Sequence, residues 1–171
     1  MGKMLFGALL CVPFLLFNGL RIYKHIIFDR DVTQHLKRAA DANSLDLAKQ
    51  ELKIVLDYCD VHNLKQGYTS ILYTTPDEDI EFWYNNILDC HSQMLTLPKD
   101  ASKDLILIKL HQTLLDHKDG YEVVTVPSGL VYYPSNWVWA LWFVFSILIG
   151  LCGILLFLIG LRDWDRAVYE L

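Results

Sequence analysis

The chain has 171 residues, of which 53% are hydrophobic, and its 20 acidic and 15 basic residues give a formal net charge of −5. This apolar fraction excludes an intrinsically disordered chain, and the length accommodates one compact domain plus membrane segments but not two full domains. The acidic balance argues against nucleic acid as a partner.

Two stretches of the chain lack charged residues: no Asp, Glu, Lys or Arg lies between Lys3 and Arg21 or from Val123 to Leu161. The first, residues 4–20, is short enough to be either a membrane span or the core of a signal peptide. Since no small-x-small cleavage site follows it, we expect an uncleaved anchor. Residues 1–28 are therefore assigned to this anchor and the start of a stalk.

Residues 29–136 are predicted to form an extramembrane helical domain. Apolar residues at helical spacing predict its first two helices at about 31–42 and 44–62, with Glu51 and Lys53 on the exposed side of the second. The sequence Thr75-Pro76-Asp77-Glu78 predicts an N-cap, a first-turn proline and a capping glutamate, so a third helix is expected at about 76–97, ended by Pro98. Asp100 or Ser102 can cap a fourth helix at about 102–118.

A small β-hairpin is expected at about 121–133, where β-branched and aromatic residues flank the turn Pro127-Ser128-Gly129. The segment 66–75 has a similar composition and is a candidate third strand. The last strand would lead into the second apolar stretch.

Residues 137–161 form that stretch, and 25 uncharged residues in a helix reach roughly 37 Å, enough for a transmembrane helix. Small residues at helical spacing predict a helix-packing face whose partner is the first span, a second copy or another subunit. Its residues are Ser146, Gly150, Gly153 and Gly160. Aromatic residues that favour headgroup depth are Tyr132, Tyr133, Trp137, Trp139, Trp142 and Trp164. Residues 162–171 form a short tail.

Two spans place both termini on one side of the membrane. The positive-inside rule gives opposite answers at the two spans, since the short tails and the segment after the first span are both basic. Long translocated domains escape the rule, so we expect both termini in the cytoplasm and the central domain outside. The predicted setting is a bacterial-type inner membrane.

One thiol and imidazole set invites comparison with metal sites: Cys59, His62, His91 and His111. No Cys-x-x-Cys pair accompanies it, which makes free thiols and core histidines the main alternative. Cys59 and Cys90 could instead form a disulfide if the domain is extracytoplasmic. We expect no cofactor and assign no catalytic residue.

Phe82, Trp83 and Tyr84 are consecutive and cannot all face one side of a helix. Trp83 and Tyr84 fit the core face, which leaves Phe82 to pack within the domain or to contact a partner.

The sequence therefore predicts a mainly α membrane protein, with two transmembrane helices flanking an extramembrane antiparallel helical bundle and a small β-hairpin near the membrane. Its expected partners are membrane lipids and another membrane protein or a second copy of the chain. The favoured function is that of a non-enzymatic accessory subunit or interaction adaptor. The alternatives are a ligand-sensing module working through a partner and a membrane enzyme with a Cys/His metal site.

Overall fold

A computed structural model describes residues 2–72, 74–96 and 103–169. It is 77% helical, with two long apolar helices and a two-stranded antiparallel sheet, which confirms the mainly α class and the small hairpin. The chain divides into two compact units. A two-helix unit comprises Met1–Lys24 and Trp137–Leu171, and a central domain comprises His25–Asn136.

The two-helix unit is formed by most of helix α1 (Gly2–Phe28) and of helix α6 (Asn136–Tyr169). Met4 lies beside Gly160, and Phe14 lies beside Gly150, so the two helices run antiparallel. Three glycines of the predicted packing face, at 150, 153 and 160, therefore contact α1, and Ser146 is also buried. Of the three candidate partners for this face, the structure pairs it with the first apolar helix.

The backbones approach most closely at Gly7 and Gly153. A Cβ atom on Gly7 would lie 2.6 Å from the backbone nitrogen of Phe157 and 2.7 Å from the carbonyl oxygen of Gly153. No side chain fits there, so the helix pairing depends on glycine at this position. We call Gly7, Gly150, Gly153 and Gly160 the glycine seam.

Polar contacts mark both ends of the glycine seam. At one end Lys3 Nζ lies 2.8 Å from Asp163 Oδ2. At the other end the guanidinium of Arg21 lies 4.5 Å from the Phe143 ring centroid, and Lys24 Nζ lies 5.1 Å from the Trp139 ring. Charge thus gathers at the two ends and is absent between them.

The central domain begins with a π-helical turn (Asp29–Thr33) and packs four helices around one core. These are α2 (Gln34–Ala40), α3 (Leu45–Val61), α4 (Ile80–Leu95) and α5 (Lys103–Leu114). Helix α3 packs against α2 and α4, and α5 also packs against α2 and α4. The largest fully buried apolar side chains are Leu36, Leu52, Ile80, Ile87, Leu130, Val32, Val55 and Cys59.

The third predicted helix begins later than its sequence suggests. Thr75 Oγ1 donates to Glu78 Oε2 at 2.6 Å, and this pair closes a 3-10 turn (Pro76–Glu78) in place of the first α-helical turn. The α-helix then begins at Ile80, where the Asp79 carboxylate accepts from the Phe82 backbone N–H at 3.1 Å. Pro98, Asp100 and Ser102, which were expected to end this helix and cap the next, lie outside the described residues.

The prediction of a fourth helix reaching residue 118 is wrong. Helix α5 ends at Leu114, and strand β1 (Leu115–Lys118) pairs antiparallel with strand β2 (Tyr121–Val124). The turn residues Asp119 and Gly120 have φ of +54° and +84°, the left-handed backbone that a two-residue hairpin turn requires. The hairpin is thus shifted towards the N-terminus from 121–133, and Leu130–Tyr132 forms a 3-10 turn.

The prediction that Glu51 faces solvent is also wrong, since this residue is only 2% exposed. Its carboxylate lies 2.6 Å from His35 Nδ1 and 2.6 Å from Arg38 Nη2, both on α2. A polar residue in an amphipathic pattern looks exposed, but here the neighbouring helix supplies partners that allow its burial. The Glu51 cluster (Glu51, His35 and Arg38) therefore joins α3 to α2.

The glycine seam predicts different effects of the same substitution at two positions in α1. Gly7→Ala should lower the free energy of unfolding by about 1–2 kcal/mol, because the new methyl group overlaps the backbone of α6. Gly19 has no neighbour within 4 Å, so Gly19→Ala should cause no loss. Denaturation of both variants in detergent checks this, and equal effects would contradict the close approach.

The Glu51 cluster predicts that Glu51→Gln destabilises the domain by about 1–2 kcal/mol, since a buried carboxylate with two hydrogen-bonding partners is replaced by a neutral amide that fits them less well. Asp57→Asn is the control, because Asp57 forms an exposed pair with Lys53 on the same helix and should cost under about 0.5 kcal/mol. Chemical denaturation of the full chain, followed by tryptophan fluorescence, compares the two. Similar small losses would show that the cluster contributes little.

Candidate partner-binding cleft

A surface cleft of about 470 Å³ lies in the central domain between α4, the β1–β2 hairpin and the Pro76–Glu78 turn. Its floor contains the buried side chains of Trp83, Leu114 and Pro127. Its rim is exposed and includes Phe82, Val123, Asp77, Asp116 and Lys118. The floor of the cleft is thus apolar, and its rim carries both apolar and charged side chains.

Trp83 holds the two walls of the cleft together. Its side chain is 6% exposed, and its indole Nε1 donates to the carbonyl oxygen of Thr125 at 2.8 Å. Thr125 follows β2, and its own N–H donates to the Leu114 carbonyl oxygen at 2.9 Å. A single aromatic side chain therefore joins α4 to the base of the hairpin.

Phe82 is the most prominent apolar group on the rim. It adjoins Trp83 in sequence but points elsewhere, because consecutive helical residues diverge by about 100°. The Asp79 carboxylate accepts a hydrogen bond from the Phe82 backbone N–H, and Phe82 is 64% exposed. Phe82 was predicted either to pack within the domain or to contact a partner, and the structure places it at the mouth of the cleft.

The rim carries an excess of negative charge. The lining includes Asp77, Asp79 and Asp116 against Lys118, a formal charge of −2; Asp79 is half-buried and caps α4, so the exposed rim itself carries −1. In the hairpin register Asp116 pairs with Val123 and Lys118 pairs with Tyr121, so the strands place apolar and charged groups side by side.

The hairpin side of this cleft was missed by sequence reasoning, because residues 115–118 were predicted to continue a helix. The Asp119-Gly120 dipeptide was the available signal, since this pair favours a two-residue hairpin turn. The residues on either side of this dipeptide alternate only weakly between apolar and polar types, so the helical spacing of apolar residues favoured a helix.

The structure does not gather the predicted thiol and imidazole set. Among the described residues no group of three or more His, Cys, Asp or Glu side chains could hold a metal ion. Cys59 is fully buried, whereas His62 is exposed and stacks on Tyr58 with ring centroids 4.0 Å apart. His91 is half-buried, and burial lowers its pKa. His111 Nε2 lies 3.7 Å from Glu122 Oε2 on β2.

The cysteines proposed for a disulfide, Cys59 and Cys90, are free thiols. Burial raises the pKa of Cys59 to about 12, and it also raises the pKa of the half-buried Cys90. Raised pKa values favour the neutral thiol, which is the less reactive form.

The predicted interface aromatics fall in both units. Tyr132 and Tyr133 belong to the central domain, where the Tyr133 hydroxyl donates to the Gln66 carbonyl oxygen at 3.0 Å. In the two-helix unit Trp139 lies 5.4 Å from the Phe17 ring, while the other three are exposed. Those three are Trp137, Trp142 and Trp164, at 60%, 50% and 46%.

The raised pKa of Cys59 predicts slow alkylation at pH 8. In a variant that retains only this cysteine, labelling should be roughly a thousandfold slower than for an ordinary thiol, because the thiolate fraction falls with a pKa of about 12. The control is Val61→Cys with Cys59→Ala, since Val61 lies on the same helix and is 78% exposed. Maleimide labelling rates measure the ratio, and equal rates would show that Cys59 is accessible.

No protein-family model matches the chain, and neither a curated protein nor a solved structure is significantly similar to it. Its function therefore has to be inferred from the cleft itself, that is, from its exposed ring, its lining and its charge.

Proposed function

We propose that this chain is a non-enzymatic integral membrane protein that binds another protein through the cleft beside Phe82. In this role it acts as an accessory subunit or adaptor. The observation that carries the proposal is the Phe82 ring, which is 64% exposed at the mouth of a cleft with an apolar floor. Aromatic side chains fixed beside a pocket are the usual centres of binding energy in protein interfaces.

The two-helix unit supports membrane insertion. The helices Gly2–Ala40 and Asn136–Arg166 are long and apolar enough to cross a bilayer, and only 6% and 22% of their apolar windows are buried. A core helix of a soluble domain would be mostly buried. So much exposed apolar surface is stable in contact with lipid chains.

The spacing of charge in this unit matches the thickness of a bilayer. About 27 Å of helix separates Lys3, paired with Asp163, from Arg21, which lies over Phe143. The hydrocarbon core of a bilayer is about 30 Å thick. Charged groups and aromatic rings at the two ends would then lie at headgroup depth, as in other membrane proteins.

In the proposed topology the two spans form a hairpin, with both termini in the cytoplasm and the central domain outside. The chain's own helices fill the glycine seam, which supports a partner surface elsewhere in the chain. The proposal assigns partner recognition to the central domain, where the cleft lies.

A second candidate function is the binding of a small ligand in the same cleft. Its volume of about 470 Å³ lies in the range of about 300–1,000 Å³ typical of ligand pockets. Such pockets enclose most of the ligand, whereas Phe82, Val123 and the charged rim residues leave this cleft open to solvent. An open cleft favours a side chain presented by another protein.

The proposal predicts that a photo-reactive amino acid in place of Phe82 captures a partner in intact membranes. Benzoylphenylalanine at this position should give a light-dependent species heavier than the chain, to be identified by mass spectrometry. Leu95 is the matched control, because it lies on the same helix, does not line the cleft and is also 64% exposed. No product at Phe82, or the same products at both positions, would count against the cleft as a binding site.

A further inference from the structure

We infer that the cleft binds a partner segment in which one large apolar side chain is flanked by lysine or arginine. The inference rests on the proposed function and specifies the chemistry of the partner. Its basis is the combination of an apolar floor, an exposed aromatic ring and an acidic rim in one cleft.

The floor sets the requirement for an apolar side chain. Trp83 and Leu114 are 6% and 2% exposed, and the indole N–H of Trp83 is already bonded to Thr125. The floor is therefore lined by apolar atoms, and its indole N–H is not available to a partner. Phe82 adds an exposed face beside it, so an inserted aromatic or long aliphatic side chain would be contacted from two sides.

The rim sets the requirement for positive charge. Asp77 is exposed, and in the part of the chain that the structure describes neither it nor Asp116 forms an ion pair. Asp116 accepts one hydrogen bond, from the His117 backbone N–H at 2.8 Å, which leaves its carboxylate further acceptor capacity. A lysine or arginine in the partner would pair with these two carboxylates at the edge of the apolar contact.

The same charge argues against other occupants. A second copy of this chain carries a net charge of −5 and is a poorer match for an acidic rim than a basic segment. Phosphate groups and anionic lipid headgroups would be repelled for the same reason. A basic and apolar segment is the occupant that satisfies both the floor and the rim.

The test uses the full chain in detergent and three fluorescein-labelled nonapeptides. The peptides share a central tryptophan in a glycine–serine frame and differ at two flanking positions, which are both lysine, both serine or both glutamate. At low salt we expect the lysine peptide to bind about tenfold more tightly than the serine peptide, which corresponds to 1.4 kcal/mol, and the glutamate peptide to bind most weakly. The lysine advantage should shrink as salt is added, because rim charges are screened.

Variants assign this preference to the rim. Asp77→Asn with Asp116→Asn should remove the lysine advantage and leave the serine peptide unchanged. Glu81→Gln with Asp104→Asn is the matched control, because both residues are exposed acids of the same domain outside the cleft lining. Asp77→Asn alone should partly reduce the advantage of the lysine peptide over the serine peptide. Because Asp77 is exposed, this single variant can replace the double variant if the latter does not fold. Phe82→Ser should weaken all three peptides.

Three results would overturn the inference. They are equal affinity for the three peptides, tighter binding of the lysine peptide that persists in the Asp77→Asn, Asp116→Asn variant, and a dimer of the chain that dissociates in Phe82→Ser. Its failure can be told apart from that of the proposed function. If a partner is captured at Phe82 but the three peptides bind with equal affinity, only the inference fails. Peptide selectivity without any captured protein in membranes defeats only the proposed function.

Discussion

The close approach of two backbones at the glycine seam is the constraint on which the two-helix unit depends. An amide nitrogen and a carbonyl oxygen lie 2.6 and 2.7 Å from the position that a Cβ of Gly7 would take. The pairing of α1 with α6 therefore depends on the absence of a side chain at this position. Tight packing of this kind needs no difference in hydrophobicity between the interface and its surroundings, which is why it suits helices in lipid. The remaining apolar surface of both helices is exposed, and the charges are gathered at the ends. These features together support a membrane hairpin as the proposed anchor.

The central domain is stabilised in a different way, by an apolar core with a few polar groups buried in defined pairs. Glu51 is held by His35 and Arg38, and the Trp83 indole is held by a backbone carbonyl. The first contact joins the consecutive helices α2 and α3, whereas the second joins elements 42 residues apart, and a buried group that lost its partner would be costly. The second contact also shapes the cleft, because it fixes the distance between α4 and the hairpin. The cleft with Phe82 at its mouth is the basis for the proposed recognition of another protein.

Local patterns in the sequence predicted the helical class and the existence of most elements, but they could not predict choices made by tertiary contacts. Ser146 and Gly150 could be assigned to one helix face by spacing, whereas the helix that they face could not be chosen among three candidates. Thr75 and Glu78 have the residue types of a capping box, yet they close a 3-10 turn and leave Asp79 to cap the helix. Residues 115–118 matched a helical pattern, and only the left-handed pair Asp119-Gly120 explains why they form a strand. Glu51 looked exposed because its partners lie on another helix. The cleft could not be predicted for the same reason, since its walls come from elements whose contacts with one another cannot be deduced from local sequence patterns.

The most direct test of the central claim, that the two apolar helices cross a membrane and place the central domain on one side, is the sidedness of two cysteines. In a cysteine-free variant, Gly2→Cys and Val61→Cys report on the N-terminus and on the central domain, since Gly2 has no neighbour within 4 Å and Val61 is 78% exposed. An impermeant maleimide added to sealed right-side-out vesicles should label Val61→Cys at once and Gly2→Cys only after permeabilisation, with the order reversed in inverted vesicles. Labelling of both cysteines from the same side would contradict the membrane hairpin.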